Sequence, residues 1–245
     1  MSRVHANELG AATDTEAFLR LVLGKRQEPD DTWVFRGQRL AKWDLAPKID
    51  RDEFVRYRTR KRWTRDEHER WLLKEFKKAA RPHTRTGPED SWEWLALGQH
   101  YGLATRLLDW TANPLGALYF AVEHIPDTAD SAVWCYHHET DSSVSHPDPF
   151  CIPQVTAYWP AHITPRITVQ GGCFTAHPSP ASRARVTWPG EIRRIIIPRQ
   201  ARRRFRKDLM KMGITRGVLF PDLDGIAVSL NTRYSREQQP DEPGG

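Results

Sequence analysis

Residues 102–122, GLATRLLDWTANPLGALYFAV, leave few ways of folding. Thr105–Trp110 is too short for a helix and is bounded by Gly102 and the Asn-Pro pair, so it reads as a strand. Side chains alternate along a strand. Arg106, Leu108 and Trp110 then share one side, and Thr105, Leu107 and Asp109 the other. Asn113 suits a helix cap and Pro114 the first helical position. Leu115, Leu118, Tyr119 and Val122 follow at helical spacing, which describes a helix packed on a sheet. Asp109, Trp110 and Thr111 therefore stand where a strand runs into a helix N-terminus, whose unpaired amides favour anions. Arg106 and Asp109 lie in an apolar segment, where a charge is costly unless it is paired or used.

The rest of the chain alternates between similar signals. Residues 1–13 read as a flexible N-terminal arm, and a helix begins at a cap near Asp14 or Thr15. Residues 32–38, TWVFRGQ, form a strand ending in Arg36 and Gly37, and WDLAP (43–47) a second extended piece. Thr64 and Glu67 make a capping box for a helix with Leu72, Phe76 and Ala79 as its apolar stripe, ending at Pro82. Another helix starts at Asp90 or Ser91 and stops at Gly102. Strands are expected at 131–136, 167–177 and 191–198, with a long excursion at 138–165. Pro198 opens a helix with Ala201, Phe205, Leu209 and Met212 inside and Arg202, Arg203, Arg206 and Lys207 largely outside. Residues 215–221, TRGVLFP, read as a last strand, followed by a short helix. Residues 14–232 thus make a single domain and 233–245 a disordered tail. Strands outnumber sequential βαβ units, so the expected class is α+β with a split mixed or antiparallel sheet and flanking helices.

A chain of 245 residues can bury a core without staples. The three cysteines show no CxxC spacing, and the N-terminus lacks a signal-peptide core. No apolar run reaches the roughly 18 residues of a membrane helix. The expectation is a cytoplasmic protein with no membrane contact. The net charge is +6, and its basic residues are clustered in 56–62 and 199–211. Such patches can hold the phosphate backbone of RNA or DNA, although solvated helix faces look the same. Of the ten tryptophans, some are core and a few are candidates for stacking on bases.

No Walker loop, GxGxxG, HExxH or GxSxG is present. Cys135, His137 and His138 lack a second half-site for a metal. Cys173 reads as a buried structural thiol. What remains is a set of polar groups beside glycines and aromatics: Arg36 with Gly37 and Gln38; Gln99 and His100 with Tyr101; Arg106 and Asp109; Thr175 and His177; Asp222 and Asp224. Arginine suits bidentate phosphate recognition. Equally, Arg106 with Asp109 or Asp222 would make a buried pair.

VFRGQ (34–38), ALGQHYGLATRLLDWTANPLGALYFA (96–121), GGCFTAHP (171–178) and GVLFPDLDG (217–225) resemble the FRG-domain family, in register from about residue 32 to 230. More distantly, Arg36, WTANPLGALYFA (110–121) and RRIIIP (193–198) are similar in order to elements of ADP-ribosyltransferases. That resemblance implies a split sheet whose cleft binds NAD as substrate, without a glycine-rich loop. It places that family's catalytic glutamate on Arg194, with Glu191 facing the other way, so the acid must come from elsewhere. Asp222, Asp224 and Asp109 are the alternatives.

The resemblance implies a mono-ADP-ribosyltransferase or NAD glycohydrolase with Arg36, Asp109 and Asp222 as catalytic set. Arg36, Gly37, Gln38, His100, Tyr101, Arg106, Trp110 and Thr111 would bind the nucleotide. Arg36 would hold a pyrophosphate or ribose oxygen, with Gly37 letting the ligand approach. Tyr101 or Trp110 would stack on a ring, and Arg106 would hold phosphate or fix Asp109. The basic patches would fit a nucleic-acid acceptor, and the build would suit a toxin or phage-defence effector restrained by an antitoxin. The competing reading is a non-catalytic nucleotide- or nucleic-acid-binding module.

Overall fold

The computed structural model describes residues 6–24, 33–84, 88–124, 126–138, 146–160, 172–179, 188–220 and 222–234. It is α+β. One mixed seven-stranded sheet has the order β1-β7-β4-β2-β3-β6-β5. The strands are β1 (Asn7–Ala11), β2 (Trp33–Gln38), β3 (Leu107–Thr111), β4 (Ser131–His137), β5 (Thr156–Tyr158), β6 (Gly172–Ala176) and β7 (Glu191–Ile197). The helices are α1 (Thr15–Leu23), α2 (Asp52–Lys61), α3 (Arg65–Ala80), α4 (Ser91–His100), α5 (Pro114–Val122), α6 (Arg202–Lys211), α7 (Arg216–Leu219) and α8 (Leu223–Tyr234). Among the described residues no helix is long and apolar enough to cross a membrane.

Local chemistry sets the helix starts. Asp14 accepts from the Ala17 amide and Asp90 from the Glu93 amide, each at 2.9 Å. Thr64 and Glu67 close a full capping box on α3. Asn113 caps α5 by accepting from the Leu115 and Gly116 amides, with Pro114 inside the first turn. Gly102, at φ +84°, turns the chain out of α4.

Strand alternation divides the core. Trp33 and Phe35 of β2, Val133 and Cys135 of β4, and Ile195 and Ile197 of β7 pack against α1, α5 and α6. Leu107 of β3, with Phe174 and Ala176 of β6, packs against Leu73 of α3 and Leu95 and Ala96 of α4. Phe35 and Thr111 are opposite partners, so these two clusters lie on the same face of the sheet. The other face carries one continuous layer with Val34, Leu108, Trp110, Trp134, Tyr136 and Cys173. The helix-covered face therefore has two cores with a seam between them.

Several expectations are corrected. Asn7–Ala11, read as part of a flexible arm, pairs in parallel with β7 as an edge strand, and Ala12 behind it is fully buried. WDLAP forms no strand. TRGVLFP is not a strand either. Arg216–Leu219 is a helical turn, because Leu219 and Phe220 insert toward α5 and Gly217 leaves room for α8 to lie against it. Leu72, Phe76 and Ala79 are not the inner stripe of α3: Arg65, His68, Glu69 and Leu73 are buried instead, since that helix packs on a polar network. β5 was hidden in the long excursion. The expected tail beyond residue 234 and residues 167–171 of the strand expected at 167–177 lie outside the described residues; the remainder of that strand is β6.

Candidate functional site

β2 pairs with β4 from Trp33 to Gln38, and β3 pairs with β6 from Leu107 to Thr111. Between β2 and β3 there is a single rung, Phe35 to Thr111. Beyond it the strands diverge, and the guanidinium of Arg36 occupies the gap. Its Nη1 donates to the Asp109 carbonyl at 2.8 Å and lies 3.7 Å from the Asp109 carboxylate. A side chain thus takes the backbone acceptor that a strand partner would have used. The result is a cleft of about 370 Å³ lined by Arg36, Gly37, Gln99, His100, Asp109, Thr111, Phe120 and Glu123, with Cys173 and Phe174 at its floor.

The polar groups are held in order. Thr105 donates its hydroxyl to the Gln99 amide oxygen at 2.6 Å, which aims the Gln99 amide nitrogen at Asp109, 2.9 Å away. Asp109 is thereby fixed at two points, yet its side chain is 57% exposed. Arg36 is only 16% exposed, and its Nε has no hydrogen-bond partner among the described residues. Burial draws its guanidinium below the usual value, Asp109 opposes this, and Arg51 adds a second positive charge nearby. A buried donor without a partner beside another cation is a place where an anion would be stabilised.

Glu123, at the end of α5, also lines the cleft and was not singled out from sequence. Burial raises its carboxyl above the usual range, while Arg216, 3.2 Å away, and Tyr119 pull it back. Burial, then the neighbouring Glu123, pushes the Tyr119 phenol up to about 12. The only sequence signal was an acid four residues after a tyrosine on one helix face.

Other expected site residues have their side chains committed elsewhere, whether or not they touch the cleft. Arg106 is fully buried, with Nε to Glu69 at 2.9 Å, Nη2 to Asp66 at 2.5 Å and Nη1 to the Pro149 carbonyl at 2.9 Å. It has no capacity left for a phosphate, and it pairs with α3 rather than with Asp109. Trp110 borders the cleft, yet it is 3% exposed and donates to the Thr175 hydroxyl, so its ring is packed in the core and offers no free face for stacking. Gln38 donates to the Asp44 carbonyl and accepts from Trp134. A Cβ on Gly37 would lie 2.0 Å from the Ala117 carbonyl, so the glycine is there for α5 rather than for ligand approach. The amides at the start of α5 are capped by Asn113, and no anion site remains there. Asp222 caps α8 through the Gly225 amide, and neither it nor Asp224 lines the cleft.

Tyr101 is 70% exposed and edge-on to His100, which lines the cleft. Thr175 and His177 lie on the opposite sheet face beside Trp110 and Trp188, and His177 is held well below its ordinary value by burial, then by Arg65, Arg36 and Arg106. Arg194 pairs with Glu8 and Glu191 with Arg193, both away from the cleft.

The basic segments are partly internal. Arg58 donates to the Ile49 carbonyl, and Tyr57 and Trp63 pack around His68. Arg202, expected outside, is 1% exposed, ion-paired with Asp127 and donating to the Ala129 and His124 carbonyls, and Arg206 is hydrogen-bonded to Asp127. Arg203 and Lys207 are exposed as expected. Burial pushes the Cys173 thiol up, as expected of a structural thiol.

No curated protein and no solved structure matches the chain. Residues 31–130, the stretch that supplies Arg36, Gln99, His100, Asp109, Thr111 and Glu123 to the cleft, match the family model of the FRG domain.

Proposed function

We propose that the cleft between β2 and β3 binds NAD and that the protein is an ADP-ribosyltransferase or NAD glycohydrolase. The observation that carries this reading is the guanidinium of Arg36 wedged in the gap with an unpartnered Nε, facing a carboxylate that Gln99 holds in place. Arg36 would anchor the pyrophosphate, and Tyr101 offers an exposed ring beside the cleft. The volume suits one nucleotide half, since ligand pockets begin at roughly 300 Å³. The order of Arg36, WTANPLGALYFA and RRIIIP, which resembles that of ADP-ribosyltransferases, supports the same assignment.

Asp109 takes the role of the acid. In the reaction the bond between the ribose C1′ and the nicotinamide nitrogen breaks. Its electron pair neutralises the nicotinamide ring, and positive charge develops on the ribose. A carboxylate held near that ribose stabilises the charge. Water or an acceptor hydroxyl then bonds to C1′ and gives up its proton. Glu123 is less suited, because burial favours its neutral form.

The test is NAD binding by calorimetry together with nicotinamide release. Wild-type protein should do both, and Asp109→Asn should bind without release. Absence of NAD binding overturns the reading. The second reading, a nucleotide-binding module without turnover, draws on Arg194, which stands where the resemblance puts a glutamate and pairs with Glu8. Binding without release in the wild type would select it.

A further inference from the structure

A second concavity, of about 590 Å³, runs along α3 and is bounded by Phe150 and Ser91. Arg70, Lys74, Lys77 and Arg81 line it at i, i+4, i+7 and i+11. This spacing sets them on one helix face in a row about 16 Å long, at roughly 1.5 Å per residue. Lys78 stands on its rim. A lysine row is often no more than a wet helix face. Two features argue otherwise here. The row lies in a concavity lined also by the apolar Leu73 and Phe150, against which the stems can pack while the charged heads stay along the groove. The charges are also incompletely neutralised. Arg70 pairs with Asp148 and Lys78 with Glu75, but Lys74, Lys77 and Arg81 make no ion pair among the described residues. Burial draws the Lys77 ammonium below its usual value, with Asp90 opposing, so this cation is not simply in water.

We propose that this groove binds the phosphate backbone of a single-stranded nucleic acid, with Lys74, Lys77 and Arg81 on successive phosphates. One row of cations in one groove follows one strand, whereas a stiff duplex would meet only its rim. The site is separate from the cleft at Arg36 and does not rest on the NAD reading. It also differs from the basic segments 56–62 and 199–211, several of whose arginines are tied to internal acceptors.

The test is fluorescence anisotropy with a labelled single-stranded oligonucleotide, as RNA and as DNA of the same sequence, and with the corresponding duplex, over a range of salt concentrations and without NAD. Each phosphate contact contributes about 0.7 to the slope of log K against log salt for a single strand. The triple variant Lys74→Gln, Lys77→Gln, Arg81→Gln should therefore lose about 2 from the slope. The double variant Arg203→Gln, Lys207→Gln, which neutralises exposed cations on α6, should keep the wild-type slope. Circular dichroism melting confirms that both variants remain folded. An unchanged slope in the triple variant, an equal loss per charge in the α6 variant, or tighter binding of duplex than of strand each overturns the proposal.

Discussion

Two arginines, Arg36 and Arg106, looked alike in the sequence, each beside a strand and each in apolar company. Their surroundings differ in one decisive respect. Arg106 has all three of its guanidinium nitrogens engaged, by Glu69, Asp66 and the Pro149 carbonyl, with the Phe150 ring 4.4 Å from its centre. Glu69 also accepts from the Arg106 amide, so one carboxylate holds both backbone and side chain. Arg36 meets one backbone carbonyl and, at 3.7 Å, a solvent-facing carboxylate, and one of its donors is left over. Saturation marks a clamp that ties α3 to the start of β3. A leftover donor marks a place where something else can bind.

The sharpest way to break this comparison is to remove each arginine. Arg106→Ala should cost about 3–5 kcal/mol in urea unfolding, because it strands Glu69 in the core. The double change Arg106→Met with Glu69→Leu should recover part of that loss, but not all of it, since the Arg106 amide then lacks its acceptor. Arg36→Ala should cost about 1 kcal/mol or less, given its exposed partner, and should abolish NAD binding. If Arg36→Ala unfolds the protein as Arg106→Ala does, the distinction fails.

Within the cleft, Asp109→Asn should reduce nicotinamide release at least about a hundredfold while binding persists. Arg36→Lys should lose affinity, because a point charge cannot replace the planar fork across the gap.

Acid tests the ground between the two regions. His177 is held well below 6.5 by burial and then by Arg65, Arg36 and Arg106, and His68 is lowered by burial and then by Arg58. The folded protein therefore resists protonating them, while the unfolded chain takes up protons as pH falls through about 6.5. Their contribution is fully present above that value and is lost as pH drops toward the folded values. Melting temperature should fall below pH 6.5, and His177→Gln should flatten that fall. A variant with an unchanged pH profile would remove His177 from this account. The smallest effect belongs to Thr105→Val. It frees Gln99 to rotate, should cost about 1 kcal/mol in stability, and should weaken turnover several-fold with NAD affinity less affected.

Local signals carried much of this into the sequence. The Thr64 capping box, the Asn113 cap with Pro114 behind it, and the alternation along β3 were all readable, because each depends on residues a few positions apart. Arg36 and Asp109 could be singled out as charges without local partners. What could not be read was which partner each would find. Glu69 lies 37 positions before Arg106 and on another element. The inner face of α3 read as outer because its buried residues are polar, and their burial depends on that distant pairing. TRGVLFP misled for a related reason: its β-branched and aromatic run has strand character, but the helical turn brings Leu219 and Phe220 to α5.

The single rung between β2 and β3 has a further consequence. A sheet normally exposes unpaired backbone only at its margins, where another chain can add on, and proteins guard those margins against aggregation. Here the divergence beyond Phe35 and Thr111 creates such a margin inside the sheet, flanked by paired strands on both sides. Helices α4 and α5 stand beside it, and the aromatic layer backs it from the other face. The hydrogen-bonding hunger of an open edge is kept for ligands small enough to enter, and the hazard usual at a sheet margin is absent there.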